Sequence, residues 1–221
     1  MAHEPVPEET AYPPEPWHLG GTMHVSLWRV PVGSLPASFE AARPAEARPV
    51  VVGGSALVGT AFVAYEPGSV LVYDELLCAT LTWYRGRPRV TISDIWVDSP
   101  ASVAGGRELW GIPKHLASFT RERPGRRLTL TAHRDGRELA RVTVTPGVRL
   151  PGSWPLPMPT AQHLDGRDHD SRVRSFGALA TCRTTWVFPP DGPLGFLAGR
   201  RPVGSARLEE LALAFGTARP R

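Results

Sequence analysis

The residue best placed to do chemistry is Lys114, in the stretch Arg107-Glu108-Leu109-Trp110-Gly111-Ile112-Pro113-Lys114-His115-Leu116. It is the only lysine in 221 residues, and the other 24 of the 25 basic residues are arginines. A guanidinium stays protonated inside a protein, whereas a desolvated amine can lose its proton and attack a carbonyl. Apolar Trp110, Ile112 and Leu116 surround the lysine in sequence, and Pro113 stiffens the backbone before it. The second such residue is Glu75, in the run Val70–Trp83. With period-two alternation, one face carries Leu71, Tyr73, Glu75, Leu77, Ala79, Leu81 and Trp83, and Glu75 is its single charge. A carboxylate there is paired or functional, or else solvated on an edge strand.

These residues need elements to hold them. Strand patterns run over Trp17–Val30, Ala56–Tyr65, Val70–Trp83 and Arg89–Val97, and again over His115–Arg123, Arg127–His133, Glu138–Thr145 and Arg172–Phe188. Ser34–Ala41 reads as a short helical turn. Ser99-Pro100 has the signature of a helix start, with Ser as N-cap and Pro at the first position, and predicts a helix over Ala101–Leu109, weakened by Gly105-Gly106. Turns fall at Glu66–Ser69, Arg85–Pro88, Arg123–Gly125 and Asp135-Gly136. Gly147–Asp170 reads as a long loop, and Ala206–Phe215 fits either helix or strand. The expected architecture is mainly β: antiparallel sheets curled into a cone- or barrel-like cavity with one or two short helices. Residues 1–16 form a disordered or extended tail, 17–216 one domain and 217–221 a C-terminal tail.

Composition narrows the classes. Hydrophobic residues make up 42%, with 24 prolines and 22 glycines, which suits many short strands joined by turns. The formal charge is +4, but the one local cluster, Arg121, Arg123, Arg126 and Arg127, lacks interleaved aromatics and reads as a solvated strand–turn edge; no nucleic-acid partner is expected. Cys78 and Cys182 lie far apart in apolar runs and read as free thiols in a reducing cytoplasm. The acidic, proline-rich start has no signal-peptide features, and no apolar run would span a membrane. The histidines have no metal-ligand spacing, Asp165–Asp170 lacks a cation-loop pattern, and neither glycine pair is a phosphate loop, so no metal or cofactor is expected.

The residues around Lys114 and Glu75 together resemble the acetoacetate decarboxylase family. Val97-Asp98 leads into Pro100-Ala101, followed by Gly106-Arg107-Glu108-Leu109 and Pro113-Lys114, with Tyr73-Asp74-Glu75 upstream. The resemblance is most specific over residues 56–120. It implies that Lys114 is a Schiff-base lysine, that Glu75 is the active-site glutamate, and that the fold is a curled antiparallel sheet around a cavity. Desolvated lysines of this kind are a known feature of the family. Two positions depart from its decarboxylases: His115 stands where they carry a second lysine, and no arginine lies near Gly21, where they hold a substrate carboxylate.

The chemistry then expected is attack of a neutral amine on a ketone or aldehyde, loss of water, and an iminium that draws electrons from the adjacent carbon. Trp96, Trp110 and Ile112 would desolvate the amine. With Tyr73 and His115 they form the expected substrate-binding set, and Glu75 carries protons. Three readings stay open: a lysine–iminium carbon–carbon lyase with decarboxylation as its default, an aldolase or dehydratase on the same iminium, and a non-catalytic barrel for a small ligand. The expected partner is a small oxo acid or carbonyl compound, and a homo-oligomer is expected.

Overall fold

The computed structural model describes residues 11–156 and 158–216. Its strands are β1 (Trp17–Pro31), β2 (Arg48–Pro49), β3 (Val51–Val52), β4 (Ser55–Tyr65), β5 (Tyr73–Tyr84), β6 (Arg87–Val97), β7 (Lys114–Leu116), β8 (Ser118–Glu122), β9 (Leu128–Arg134), β10 (Arg137–Arg149), β11 (Trp154–Pro155), β12 (Thr160–Leu164), β13 (Arg167–Ser171), β14 (Val173–Val187) and β15 (Gly204–Phe215). Two helices, α1 (Ala37–Ala42) and α2 (Pro100–Trp110), complete it with short 3-10 turns at Val32–Ser34 and Gly195–Leu197. All the strands join one sheet, ordered β13-β12-β6-β5-β4-β1-β15-β14-β10-β9-β8. The sheet curls but its two ends do not pair. It is mixed: β6 runs parallel to β7 and, at one residue pair, to β12, and the other named pairs are antiparallel.

Alternation along the central strands separates two apolar cores. Trp28, Val58, Phe62, Leu76, Cys78 and Trp96 pack against β9, β10 and the Phe188–Ala198 segment. Leu19, Met23, Ala61, Ala79, Ile92 and Ile95 pack on the opposite face with Trp17, Trp110, Val173 and Leu213. Being apolar on both faces, β5 is an interior strand between β4 and β6. That settles the position of Glu75: it is 3% exposed, on the face of the second core, and not on a solvated edge.

Several boundaries differ from the sequence expectations, each for a local reason. The strand expected over His115–Arg123 is two strands, because β7 adds to β6 while β8 leaves to pair with β9. The expected long loop over Gly147–Asp170 contains the end of β10 together with β11, β12 and β13. Its Asp165-Gly166 pair has φ of 49° and 76°, a hairpin turn of the same kind as Asp135-Gly136 at 51° and 74°. Ala206–Phe215 is strand, held between β1 and β14. Both cysteines are free, Cys78 buried and Cys182 half-buried. Of the two expected tails, residues 1–10 and 217–221 lie outside the described residues.

Candidate active site

Lys114 is placed by the helix before it. Ser99 caps α2, its side chain accepting from the Ser102 amide at 3.2 Å, with Pro100 at the first position. The helix stops at Gly111, whose φ of 62° is the left-handed conformation of a helix C-cap, and the Gly111 and Ile112 amides close back on Arg107 and Gly106. The chain then enters β7 opposite Ile95 of β6. The Arg107 guanidinium donates to the Lys114 carbonyl at 2.9 Å and fixes the backbone there.

The glycine pair that weakens α2 has a packing reason. A Cβ on Gly106 would sit 2.7 Å from Lys114 Cδ, so the lysine stem crosses the helix only because residue 106 has no side chain. A Cβ on Gly105 would sit 2.5 Å from the Trp17 ring. The helix-forming cost of two glycines is set against close approach of α2 to the site.

The Lys114 side chain is 5% exposed and Glu75's is 4%. Lys114 Nζ donates to Glu75 Oε2 at 2.9 Å, Ser102 Oγ at 2.9 Å and Tyr73 Oη at 3.3 Å. An ammonium has three donors, and all three are satisfied. The ammonium also lies 5.0 Å from the centre of the Tyr73 ring. Tyr65, registered opposite Tyr73, donates to Glu75 Oε1 at 3.4 Å.

Electrostatics here oppose a free amine. Burial lowers the Lys114 pKa, but the adjoining Glu75 carboxylate and the Tyr73 hydroxyl raise it, and the net direction is upward. Burial pushes Tyr73 to about 12, with Lys114 pulling against it and Glu75 adding to it. Tyr65 is raised too, by burial and then by Glu75. Both tyrosines are therefore neutral hydroxyl groups near pH 7. The resting state is a buried ion pair, and the amine becomes nucleophilic only by passing a proton away. The neighbouring carboxylate is the acceptor within reach.

A cavity of about 350 Å³ lies in front of this cluster. Tyr73, Glu75, Trp110, Ile112 and Lys114 line it, as the sequence leads one to expect. Trp96 and His115 do not. β7 lies alongside β6 with Lys114 opposite Ile95 and His115 opposite Trp96, so the latter two share the other face of the sheet. There they border a separate groove with Asp94 and Arg134. His115 Nδ1 lies 3.3 Å from the Arg107 guanidinium, and burial followed by the charges of Arg107 and Arg134 lowers its pKa. Desolvation of the amine is thus supplied by Trp110, Ile112 and Ile95, not by Trp96.

Sequence reading missed Ser102, Tyr65 and most of the cavity wall. Ser102 and Gly106 are four apart on α2 and so share one helix face, a signal that was available. Tyr65 depends on the β4–β5 register, which the sequence does not carry. Among the described residues, Lys114 and Glu75 are the only charged side chains lining the cavity, and the rest of the wall is apolar apart from Tyr65, Tyr73, Thr60 and Thr160. An arginine at residue 21 is excluded on this backbone: a Cβ on Gly21 would lie 1.9 Å from the Ala64 carbonyl oxygen. Among the described residues no cluster of His, Cys, Asp and Glu is arranged to hold a metal.

A curled sheet around a lysine–glutamate pair in an apolar cavity defines a class, and the sequence match agrees with it. Residues 3–170 match the family model described as acetoacetate decarboxylase, and the chain belongs to that family. Its fold is similar to the acetoacetate decarboxylase of Legionella pneumophila, with a TM-score of 0.69 and 18% identity over 98% of this chain and 92% of that one. It is also similar to the enduracididine biosynthesis enzyme MppR complexed with pyruvate, with a TM-score of 0.71 and 20% identity over 96% and 92% of the two chains. An acetoacetate decarboxylase-like enzyme from Sphingomonas wittichii RW1 follows at 0.59, with 19% identity over 92% and 91%. No curated protein sequence matches the chain.

Proposed function

We propose that the protein is a lysine–iminium enzyme that makes or breaks a carbon–carbon bond next to a carbonyl group. The observation that carries this reading is the Lys114 ammonium, buried at the end of an apolar cavity with Glu75 2.9 Å away. Lys114 is the nucleophile and Glu75 the proton carrier. Glu75 takes a proton from Lys114, and the neutral amine adds to the carbonyl carbon. The carbinolamine oxygen then leaves as water, taking up the proton held by Glu75, and a protonated imine remains beside the Glu75 carboxylate. That carboxylate can next remove a proton from the adjacent carbon, giving an enamine. Ser102 and Tyr73 hold the nitrogen in place, and Tyr65 orients Glu75.

Of the family's reactions, condensation or retro-aldol cleavage fits this cavity better than decarboxylation. No cation besides Lys114 lines the cavity among the described residues, so a substrate carboxylate would have no partner. MppR, in a structure with the condensation product of pyruvate and imidazole 4-carboxaldehyde, has a fold similar to this chain, with a TM-score of 0.66.

Enamine formation can be tested without knowing the second reactant. Simple ketones, incubated with the protein in deuterated water, should exchange hydrogen for deuterium at the carbon next to the carbonyl, as read by NMR. Lys114→Arg and Glu75→Gln should both abolish the exchange. Exchange that survives in Lys114→Arg would remove the lysine from the mechanism.

A further inference from the structure

The charge balance and shape of the cavity say more than the reaction class. The inference that follows rests on the iminium reading and specifies its substrate. The two charges at the inner end cancel, and no third charged side chain lines the cavity among the described residues. A carboxylate-bearing ligand would add an anion beside Glu75 in an apolar cavity, with Lys114 already engaged. Burial of an unpaired charge is strongly unfavourable. A neutral carbonyl compound carries no such penalty: the one positive charge it generates, on the iminium, replaces the ammonium beside the same carboxylate.

Shape sets the rest of the molecule. The polar cluster occupies the buried end, where Glu75 is 3% and Lys114 4% exposed. Moving along the sheet, the wall becomes apolar and more exposed, and ends at Leu27, which is 50% exposed. The cavity thus reaches the surface at its apolar end. Midway, Gly59 and Ala79 face each other in register across β4 and β5, and their small size keeps the channel open. From Glu75 to Ala79 is four residues of strand, about 13 Å at ~3.3 Å per residue. At ~30 Å³ per non-hydrogen atom, the volume of a water molecule in the liquid, the cavity's 350 Å³ holds about ten to twelve such atoms.

We propose that the substrate of the Lys114 site is an uncharged ketone or aldehyde bearing an apolar chain of about eight to ten carbons, with its carbonyl at Lys114 and its chain running between Gly59 and Ala79 toward Leu27. Pyruvate and acetoacetate are poor ligands on this reading, since each combines a carboxylate with almost no chain.

The test is a reductive trapping series on the intact chain. Straight-chain 2-alkanones from acetone to 2-dodecanone are incubated with the protein and borohydride, which delivers hydride to the iminium carbon and leaves a stable secondary amine. Adduct is read by intact mass against pyruvate, acetoacetate and the chain-matched pair 2-octanone and 2-oxooctanoate. Affinity should rise about fourfold per added methylene until the cavity is full, and 2-octanone should trap at least tenfold better than 2-oxooctanoate. Gly59→Leu supplies the geometric control. A Cβ there meets nothing closer than 3.7 Å, so the residue can be enlarged. It should move the length optimum shorter by about four carbons, the size of the added side chain. The proposal is overturned if 2-oxooctanoate traps as well as 2-octanone, or if trapping does not depend on chain length. If no compound is trapped, the iminium reading fails separately, and displacement of the neutral fluorophore N-phenyl-1-naphthylamine decides the present proposal. Displacement by 2-decanone but not by decanoate upholds the uncharged apolar ligand; equal displacement by both rejects it.

Discussion

Replacing Glu75 with glutamine should separate the two jobs assigned to it. The carboxylate oxygen lies 2.9 Å from Lys114 Nζ. At that distance and an effective dielectric of ~20, the attraction is about 6 kcal/mol, and removing the charge should lower the Lys114 pKa. In the wild type the direction is upward; in Glu75→Gln burial acts without opposition from a carboxylate, and the amine should be largely neutral near pH 7. Glutamine keeps the shape and can still hydrogen-bond, so the fold should survive. A buried ammonium left without its partner would cost about 3–5 kcal/mol, a cost the lysine avoids by releasing its proton. The single lysine makes the assay direct: protein labelled with 13C-lysine gives one Cε resonance, titrated from pH 5 to 11. The wild-type resonance should hold its ammonium position through mildly alkaline pH, and the variant should titrate at lower pH. The variant should also form a trapped imine with added ketone but lose hydrogen–deuterium exchange by about 10²- to 10⁴-fold, the range for a missing acid–base group. Identical titration curves would refute the electrostatic argument, and full exchange in the variant would refute the role of Glu75.

Ser102→Ala removes one of three acceptors on Nζ and should weaken trapping modestly, with a loss of stability of about 1 kcal/mol measured by urea unfolding. Gly106→Ala should cost more in trapping than in stability, because its methyl would displace the Lys114 stem. His24 is 5% exposed with burial, and then Arg207, Arg121 and Arg123, holding its pKa at about 4. It is neutral in the folded state at pH values where the unfolded chain binds a proton. Stability should therefore fall by up to about 3 kcal/mol as pH drops from 6.5 to 4, and the denaturant midpoint of the wild type should fall further over that range than that of His24→Phe. Lys114 works in the opposite sense: its folded pKa lies above the unfolded value, so its linked stability is complete below about pH 10.4 and lost as pH rises through the folded value.

What the sequence disclosed was chemistry carried by composition and local period. One lysine among arginines, one carboxylate on an apolar face, and a Ser-Pro helix start each pointed to a feature that the structure places at or beside the cavity. Register across strands was not legible. Trp96 precedes the motif closely and was expected at the substrate, yet the parallel pairing of β7 with β6 sets Lys114 beside Ile95 and turns Trp96 and His115 away. Tyr65 reaches Glu75 only through the β4–β5 pairing. Period-two alternation alone would have shown that Lys114 and His115 face opposite sides, whereas the walls contributed by Met23, Gly59 and Leu213 needed the curl of the whole sheet. Burial of the amine was legible in the sequence, and the structure adds the 2.9 Å contact with Glu75 that outweighs it.

The most direct test of the central claim is the intact mass of the protein after incubation with a medium-chain ketone and borohydride at pH 7. Only Lys114 and the N-terminal amine can carry an adduct. The account predicts one stoichiometric adduct, absent in Lys114→Arg, formed at a rate nearly constant from pH 6 to 9, because the activating proton moves between Lys114 and Glu75 and not to solvent. A folded protein that takes up no adduct, or an adduct that persists in Lys114→Arg, would contradict it.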